Sequence, residues 1–352
     1  MSDEKWAPAI TAAAVELPPN RHSQDEVVAT LVDAVGPDFL RFAASSGVGT
    51  RQLALPLDRY PELTGFTEAN AAYLDVAMDL GERAIRKALD AAGLQPSDVD
   101  IVFSTTVTGA AVPTLEARLA GRLGLRPDIK RVPLFGLGCV AGAAGIARMN
   151  DYLRAYPDQV AVLLAVELCS LTVQRDDHSM ANLVACCLFG DGAAAVVAVG
   201  AQRAPSGRGL PRVLASRSRL YPDTTDVMGW QIGSEGFRIV LSADVPTVAE
   251  KYLGEDVRLF LAEFGLATTD IGTWVCHPGG PKVIEAIENV LDLPDDALEL
   301  TRKSLWNNGN MSSVSVLDVL SANLAAPPPH GEMGMMMAMG PGFCSELVLL
   351  GW

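Results

Sequence analysis

The sequence is poor in charge and in aromatic rings: charged residues make up 20% and aromatic residues 6% of its 352 positions. The charge it has leans one way, to a net −15. A chain this short of cations offers no general surface for nucleic acid or for an anionic membrane, although a few local Arg and Lys side chains suffice for an anionic substrate. No apolar run reaches the roughly 18 residues that would suggest a membrane span. The start, Met-Ser-Asp-Glu-Lys, lacks the cationic and apolar segments of a secretory signal. The six cysteines form no CxxC pair and no zinc spacing, and they are too few for a disulfide scaffold in a chain of this length. A reducing cytoplasm and no metal are the expectations. What the chain has in quantity is apolar side chain, 49% of all residues, which is the balance of a compact globular enzyme.

Strand-like and helix-like segments alternate, which predicts α/β architecture. Residues 70–92 carry Leu74, Met78, Ile85 and Leu89 on one helical face, with Gly93 as a stop. Buried strands are expected at 100–106, 130–137, 160–166 and 193–199, and helices at 114–123 and 140–154. A second half echoes the first. Gly93-Leu94 precedes Asp98-Val99 and an apolar strand, and Gly265-Leu266 precedes Asp270-Ile271 and another. Cys139 follows Gly93 at nearly the distance at which Asn310 follows Gly265, and both open small-residue helical segments after a glycine. The reading is two related units, residues 1–200 and 201–352, joined near the Arg/Pro/Gly-rich stretch 201–212.

The sharpest chemical signal is Gly136-Leu137-Gly138-Cys139-Val140-Ala141-Gly142. An apolar strand runs through a tight glycine turn into a helix, and the unpaired N–H groups and dipole at a helix start favour an anion such as a thiolate. The same string also fits a thiol buried against a Gly/Ala helix. His277 ends an apolar strand before a Pro-Gly-Gly turn, a position where α/β folds place ligands. The other histidines, His22, His178 and His330, lie in polar or proline-rich surroundings. Asn310, in Asn308-Gly309-Asn310-Met311-Ser312-Ser313, fits a simple turn and cap, but it is also the counterpart of Cys139. Cys, His and Asn together suit a hydrolase. They also suit a condensing enzyme, in which a His N–H and an Asn amide hold the oxyanion of an enolate formed by decarboxylation.

The motifs containing Cys139, His277-Pro278-Gly279-Gly280-Pro281 and Asn310 occur with Leu188-Phe189-Gly190-Asp191-Gly192-Ala193 and Met339-Gly340-Pro341-Gly342-Phe343. In that order, they resemble type III polyketide synthases, the chalcone-synthase-like members of the thiolase superfamily. The resemblance implies a thiolase-like duplicated five-layer αβαβα fold, a homodimer, CoA thioesters as substrates and no cofactor. It implies that Cys139 is the nucleophile, that His277 and Asn310 support decarboxylation, and that Phe189 is an aromatic gatekeeper. Thr172, Ser312 and the Met339-Gly340-Pro341 loop would border the substrate, Val112 would reach across the dimer interface, and Arg51 would lie where CoA phosphates bind.

Two positions depart from the family pattern. Ile239 stands where a second gatekeeper Phe is expected, and Met339 replaces another Phe. Both changes point to an aliphatic starter, and the wording of the motifs is similar to the actinobacterial branch that makes alkylpyrones and alkylresorcinols from fatty acyl-CoA. Malonyl-CoA or methylmalonyl-CoA would be the extender. The rivals are a ketoacyl-ACP synthase III-like enzyme, for which Pro278-Gly279-Gly280 is the wrong continuation after the His, and a non-catalytic acyl-CoA-binding relative.

Overall fold

The computed structural model describes residues 6–35, 38–205 and 209–352. Its strands are β1 Ala9–Glu16, β2 Asn20–Ser23, β3 Thr50–Leu53, β4 Ile101–Thr105, β5 Lys130–Leu134, β6 Val160–Leu168, β7 Asp191–Val199, β8 Arg212–Leu220, β9 Met228–Gly233, β10 Gly236–Leu241, β11 Ile271–Cys276, β12 Met333–Gly340 and β13 Cys344–Gly351. Nine of them form one sheet in the order β11-β12-β13-β8-β1-β7-β6-β4-β5, while β2–β3 and β9–β10 form separate ribbons. The large sheet is narrow in the middle. There β1 meets β8 through the pair Ala9 and Arg212, flanked by hydrogen bonds from Ile10 N to Pro211 O and from Val213 N to Pro8 O. Outward from this junction the order is β1-β7-β6-β4 on one side and β8-β13-β12-β11 on the other. Each side has two antiparallel pairings followed by a parallel one, and on the first side β5 adds a further parallel pairing beyond β4.

Three apolar cores separate the layers, and strand alternation assigns side chains to them. On β6, Val160, Val162, Leu164 and Val166 face the Phe66–Ala92 and Leu115–Leu123 helices. Ala161, Leu163 and Ala165 face the opposite way, into a core shared with the Ala141–Ala155 and Ser313–Ala325 helices. On β12, Met336 and Ala338 face that same central core, whereas Met335, Met337 and Met339 face the Val245–Ala262 and Pro281–Leu291 helices. The result is helix, sheet, helix, sheet, helix: the expected five layers. The predicted helix at 70–92 starts earlier, at Phe66, and stops as expected at Gly93, which takes a left-handed conformation.

The two central helices cross at close quarters. A Cβ on Gly142 would lie 2.3 Å from the backbone oxygen of Ser313, so only glycine permits the contact. This crossing brings the starts of the two helices together, with Cys139 just ahead of one and Asn310 just ahead of the other.

Candidate active site

Cys139 sits in a single tight turn, Gly138–Val140, that leads into the Ala141–Ala155 helix. Gly138 has φ +55°, and its Cα faces the Pro341 ring so closely that a Cβ would lie 2.8 Å from it. Gly340 meets the backbone of Leu137 and Val140 in the same way. The Met339-Gly340-Pro341 segment therefore braces the Cys139 turn. It does not line the main cavity, and this corrects the sequence expectation. Met339 in particular points into the outer core beside Phe343, because its position on β12 has the parity of Met335 and Met337.

On the facing segment, Gly309 turns back at φ +69° and Asn310 pairs with the Phe189 strand end, donating from N to Leu188 O (2.8 Å) and accepting from Gly190 N (3.0 Å). The Asn310 side chain is buried. Its Oδ1 accepts from Ser312 N at 2.8 Å, and its Nδ2 donates to Gly279 O at 3.4 Å, two residues after His277. Ser312, held at φ +50°, places Oγ 3.6 Å from Cys139 Sγ. His277 is anchored by its backbone N on Met337 O. The structure thus brings Cys139, Asn310, Ser312 and the Phe189 backbone together, with the Asn310 amide bonded to Gly279 two residues after His277. Both His277 ring nitrogens are buried without a protein hydrogen-bond partner. A buried imidazole without partners is costly, so it marks a position suited to a polar ligand.

A thiolate at Cys139, as the helix start suggests, is not what this geometry favours. Burial pushes the Cys139 thiol up to about 12 and the His277 imidazole down to about 3, so both are held neutral. The bond between Cys139 Sγ and Ser312 Oγ offsets only part of the effect on the thiol. With a raised thiol pKa, the thiolate fraction grows as pH rises. Iodoacetamide labelling of Cys139 in the free protein is therefore expected to be slow at pH 7 and to keep rising past about pH 8.5, where ordinary thiols level off. A rate already level between pH 6 and 7 would show the thiolate present at neutral pH.

A cavity of about 740 Å³ lies on the other side of Phe189. Phe189, Thr172, Ile239 and Arg51 line it. Tyr60, Cys169, Ser170, Gln174 and Trp230 line it as well, and sequence reasoning missed them. Arg51 has a different position from the one expected. It is buried, and it donates to Phe189 O at 2.8 Å and to Gln24 Oε1 at 2.7 Å, so it holds the gatekeeper's backbone and is not a free anchor for phosphates. Arg51→Met would leave both acceptors unpaired, for an expected loss of about 3 kcal/mol of stability. A lowered Tm with little change in KM for acyl-CoA checks this; an unchanged Tm with a raised KM would return Arg51 to the phosphates. Val112 stands almost fully exposed, at 95%, outside both cluster and cavity.

Glu167, on β6, is another residue to which the sequence reading gave no role. It is fully buried and accepts hydrogen bonds from Ser313 Oγ (2.7 Å), Thr108 Oγ1 (2.9 Å) and Val107 N (3.1 Å). Burial pushes its carboxyl up to about 7 despite these bonds, and its charge acts on Cys139. It ties the start of one central helix to the loop after β4.

The chain matches the family described as FAE1/Type III polyketide synthase-like protein over residues 38–211, and that of chalcone and stilbene synthases, C-terminal domain, over 212–351. It is 53% identical to a 1,3,6,8-tetrahydroxynaphthalene synthase of Streptomyces peucetius subsp. caesius, over 98% of this chain and 93% of the relative. It is 37% identical to a putative chalcone synthase of Bacillus subtilis, over 87% of this chain and 86% of that one. The crystal structure of the Streptomyces coelicolor A3(2) tetrahydroxynaphthalene synthase, a bacterial type III polyketide synthase, superposes with a TM-score of 0.92 at 30% identity, covering 98% and 99% of the two chains. The fold is that of the thiolase-like acyltransferases. Within them the chain belongs to the type III polyketide synthases, which carry out decarboxylating Claisen condensation with malonyl-CoA. Among the described residues, no helix is long and apolar enough to cross a membrane.

Proposed function

We propose that this synthase builds its product from malonyl-CoA alone and closes it to 1,3,6,8-tetrahydroxynaphthalene. The observation that carries this reading is the 53% identity, along nearly the whole chain, to a synthase of that product. The product's bare ten-carbon skeleton, with oxygens on alternate carbons, is what five two-carbon units provide, and it leaves no place for an alkyl starter. The polar groups along the cavity, Tyr60, Ser170, Thr172 and Gln174, suit a chain that carries a carbonyl on every second carbon. The second reading keeps the fatty acyl starter and the alkylpyrone or alkylresorcinol product. Ile239, Leu31, Leu53 and Leu63 in the same wall favour it.

In either case Cys139 takes the acyl group from its CoA thioester. A malonyl thioester then loses carbon dioxide, and the His277 ring N–H and the Asn310 amide hold the enolate oxygen. The bond to Gly279 occupies only one of the two Nδ2 protons, leaving the other for this task. The enolate carbon attacks the acyl-Cys139 carbonyl. Neutral His277 suits this role, because holding an oxyanion takes an N–H and no net charge. The solvent-exposed Val112 and the loop around it support a homodimer in which this segment reaches the partner.

Malonyl-CoA supplied alone tests the reading: mass spectrometry is expected to find tetrahydroxynaphthalene or its oxidation products. Pyrone or resorcinol masses bearing an intact alkyl chain, formed only when fatty acyl-CoA is added, would favour the second reading instead.

A further inference from the structure

Beneath the cavity floor lies a chain of hydrogen bonds separate from Cys139, His277 and Asn310. Asp191, the first residue of β7, is fully buried. Its carboxylate accepts from Ala54 N at 2.6 Å, from Ser170 N at 2.8 Å and from the Ser170 hydroxyl. The Ser170 hydroxyl in turn bonds the Tyr60 hydroxyl, which also accepts from Leu55 N at 3.3 Å. Tyr60 and Ser170 line the cavity, whereas Asp191 does not. Three elements meet in this chain: the Leu57–Glu62 turn, the Cys169–Thr172 turn and β7.

Donor and acceptor counting fixes its direction. An ionised Asp191 can only accept, so Ser170 gives it its proton and Tyr60 must give its own to Ser170. The Tyr60 oxygen then keeps lone-pair capacity for a proton from the cavity side. With Asp191 protonated, the two hydroxyl bonds of the chain reverse, and Tyr60 becomes a donor to the cavity.

We propose that Tyr60, Ser170 and Asp191 form a proton relay that serves ring closure of the polyketone in the cavity, with Tyr60 touching the substrate and the other two positioning and charging it. The proposal rests on the reading of the chain as a cyclising polyketide synthase. In the forward step, an enol O–H of the polyketone gives its proton to Tyr60, Tyr60 gives its own to Ser170, and Ser170 gives its own to Asp191. The resulting enolate carbon bonds to a carbonyl carbon further along the same chain, and that carbonyl becomes an alkoxide. The alkoxide then takes a proton from Tyr60, and the relay returns to its starting state. One carbon–carbon bond forms and no net proton is consumed.

Burial pushes the Asp191 carboxyl up to about 6, against the opposing effect of its hydrogen bonds. The charged and titratable groups that act on it are Arg51 from β3, which favours the ionised form, and Tyr60 and Cys169 from the two turns. The ionised, proton-accepting form is therefore present above about pH 6 and is lost as the pH falls through that value.

The test compares wild type with Tyr60→Phe, Ser170→Ala and Asp191→Asn on malonyl-CoA, following carbon dioxide release and the ratio of ring-closed aromatic product to linear or lactone by-products. Tyr60→Phe is expected to lower the aromatic fraction of the product about a hundredfold more than it lowers carbon dioxide release. Ser170→Ala should do the same. In wild type the aromatic fraction should drop below about pH 6, and in Tyr60→Phe that drop should vanish. Asp191→Asn fills the same space, and a folded variant should behave like Tyr60→Phe. An unchanged product ratio and pH profile in Tyr60→Phe would overturn the relay. So would an equal loss of carbon dioxide release and aromatic product, which would mark a structural role. If wild type itself makes no ring-closed product from any thioester offered, the functional reading has failed and the relay falls with it.

Discussion

Cys139→Ala is expected to lower polyketide formation by at least about a thousandfold while malonyl-CoA continues to release carbon dioxide. The two outcomes separate because the chemistry separates. Loading needs a nucleophilic sulfur, and Cys139 is the thiol that the Gly138 turn holds at a helix start beside Ser312 and Asn310. Decarboxylation needs only donors for the enolate oxygen, which the proposed mechanism places on His277 and Asn310. The substitution removes one buried sulfur and its 3.6 Å approach to Ser312, a small change that the fold should tolerate. Intact-protein mass after incubation with an acyl-CoA checks the loading: wild type gains the acyl mass and the variant does not. Product formation by the variant would place the nucleophile on another thiol, and Cys169, which lines the cavity, would be the first to examine.

The second large effect concerns the oxyanion donors. Losing one such donor typically costs about 3–4 kcal/mol of barrier, or roughly a hundredfold to a thousandfold in rate. His277→Ala and Asn310→Ala are each expected to lose carbon dioxide release by that amount, and the double variant by less than the product of the two, because the donors act on the same oxygen. Conservative variants separate donation from bulk. His277→Gln keeps an N–H and should recover part of the rate. Asn310→Asp keeps the shape and the bond from Ser312 N but puts a negative charge beside the enolate, so it should fall below Asn310→Ala. If carbon dioxide release stays at the wild-type rate in both alanine variants, the two residues do not hold the enolate.

The parts of this site legible in the sequence were those written in backbone chemistry. Gly138 and Gly309 stand at positive φ against close neighbours, and Gly142 sits where two helices touch, so each leaves a visible letter in the string. His277 before a Pro-Gly turn and Asn310 after a glycine belong to the same class of signal. The illegible residues depend on which way a side chain points across the chain fold. Met339 was misread because its face of β12 follows from a register that no local pattern states. Arg51 was misread because a lone cation in sequence carries no sign of the carbonyl and amide that bury it. Glu167 and Asp191 sit in apolar strands, where single acids give no periodic signal, and their partners lie tens of residues away. The cavity wall from 230 to 239 comes from a small ribbon that sequence reading located only through Ile239.

The contact at Gly142 has a further consequence. The thiol and the amide proposed to work together are delivered by different helices, one from each side of the β1–β8 junction, and they meet only when those helices cross. A chain with either side correctly formed and the other still loose would hold a cysteine or an asparagine, but no catalyst. Activity is thus the last property the molecule acquires on folding and the first it loses on loosening, so turnover should decline at denaturant concentrations where the helices and strands are still intact by circular dichroism.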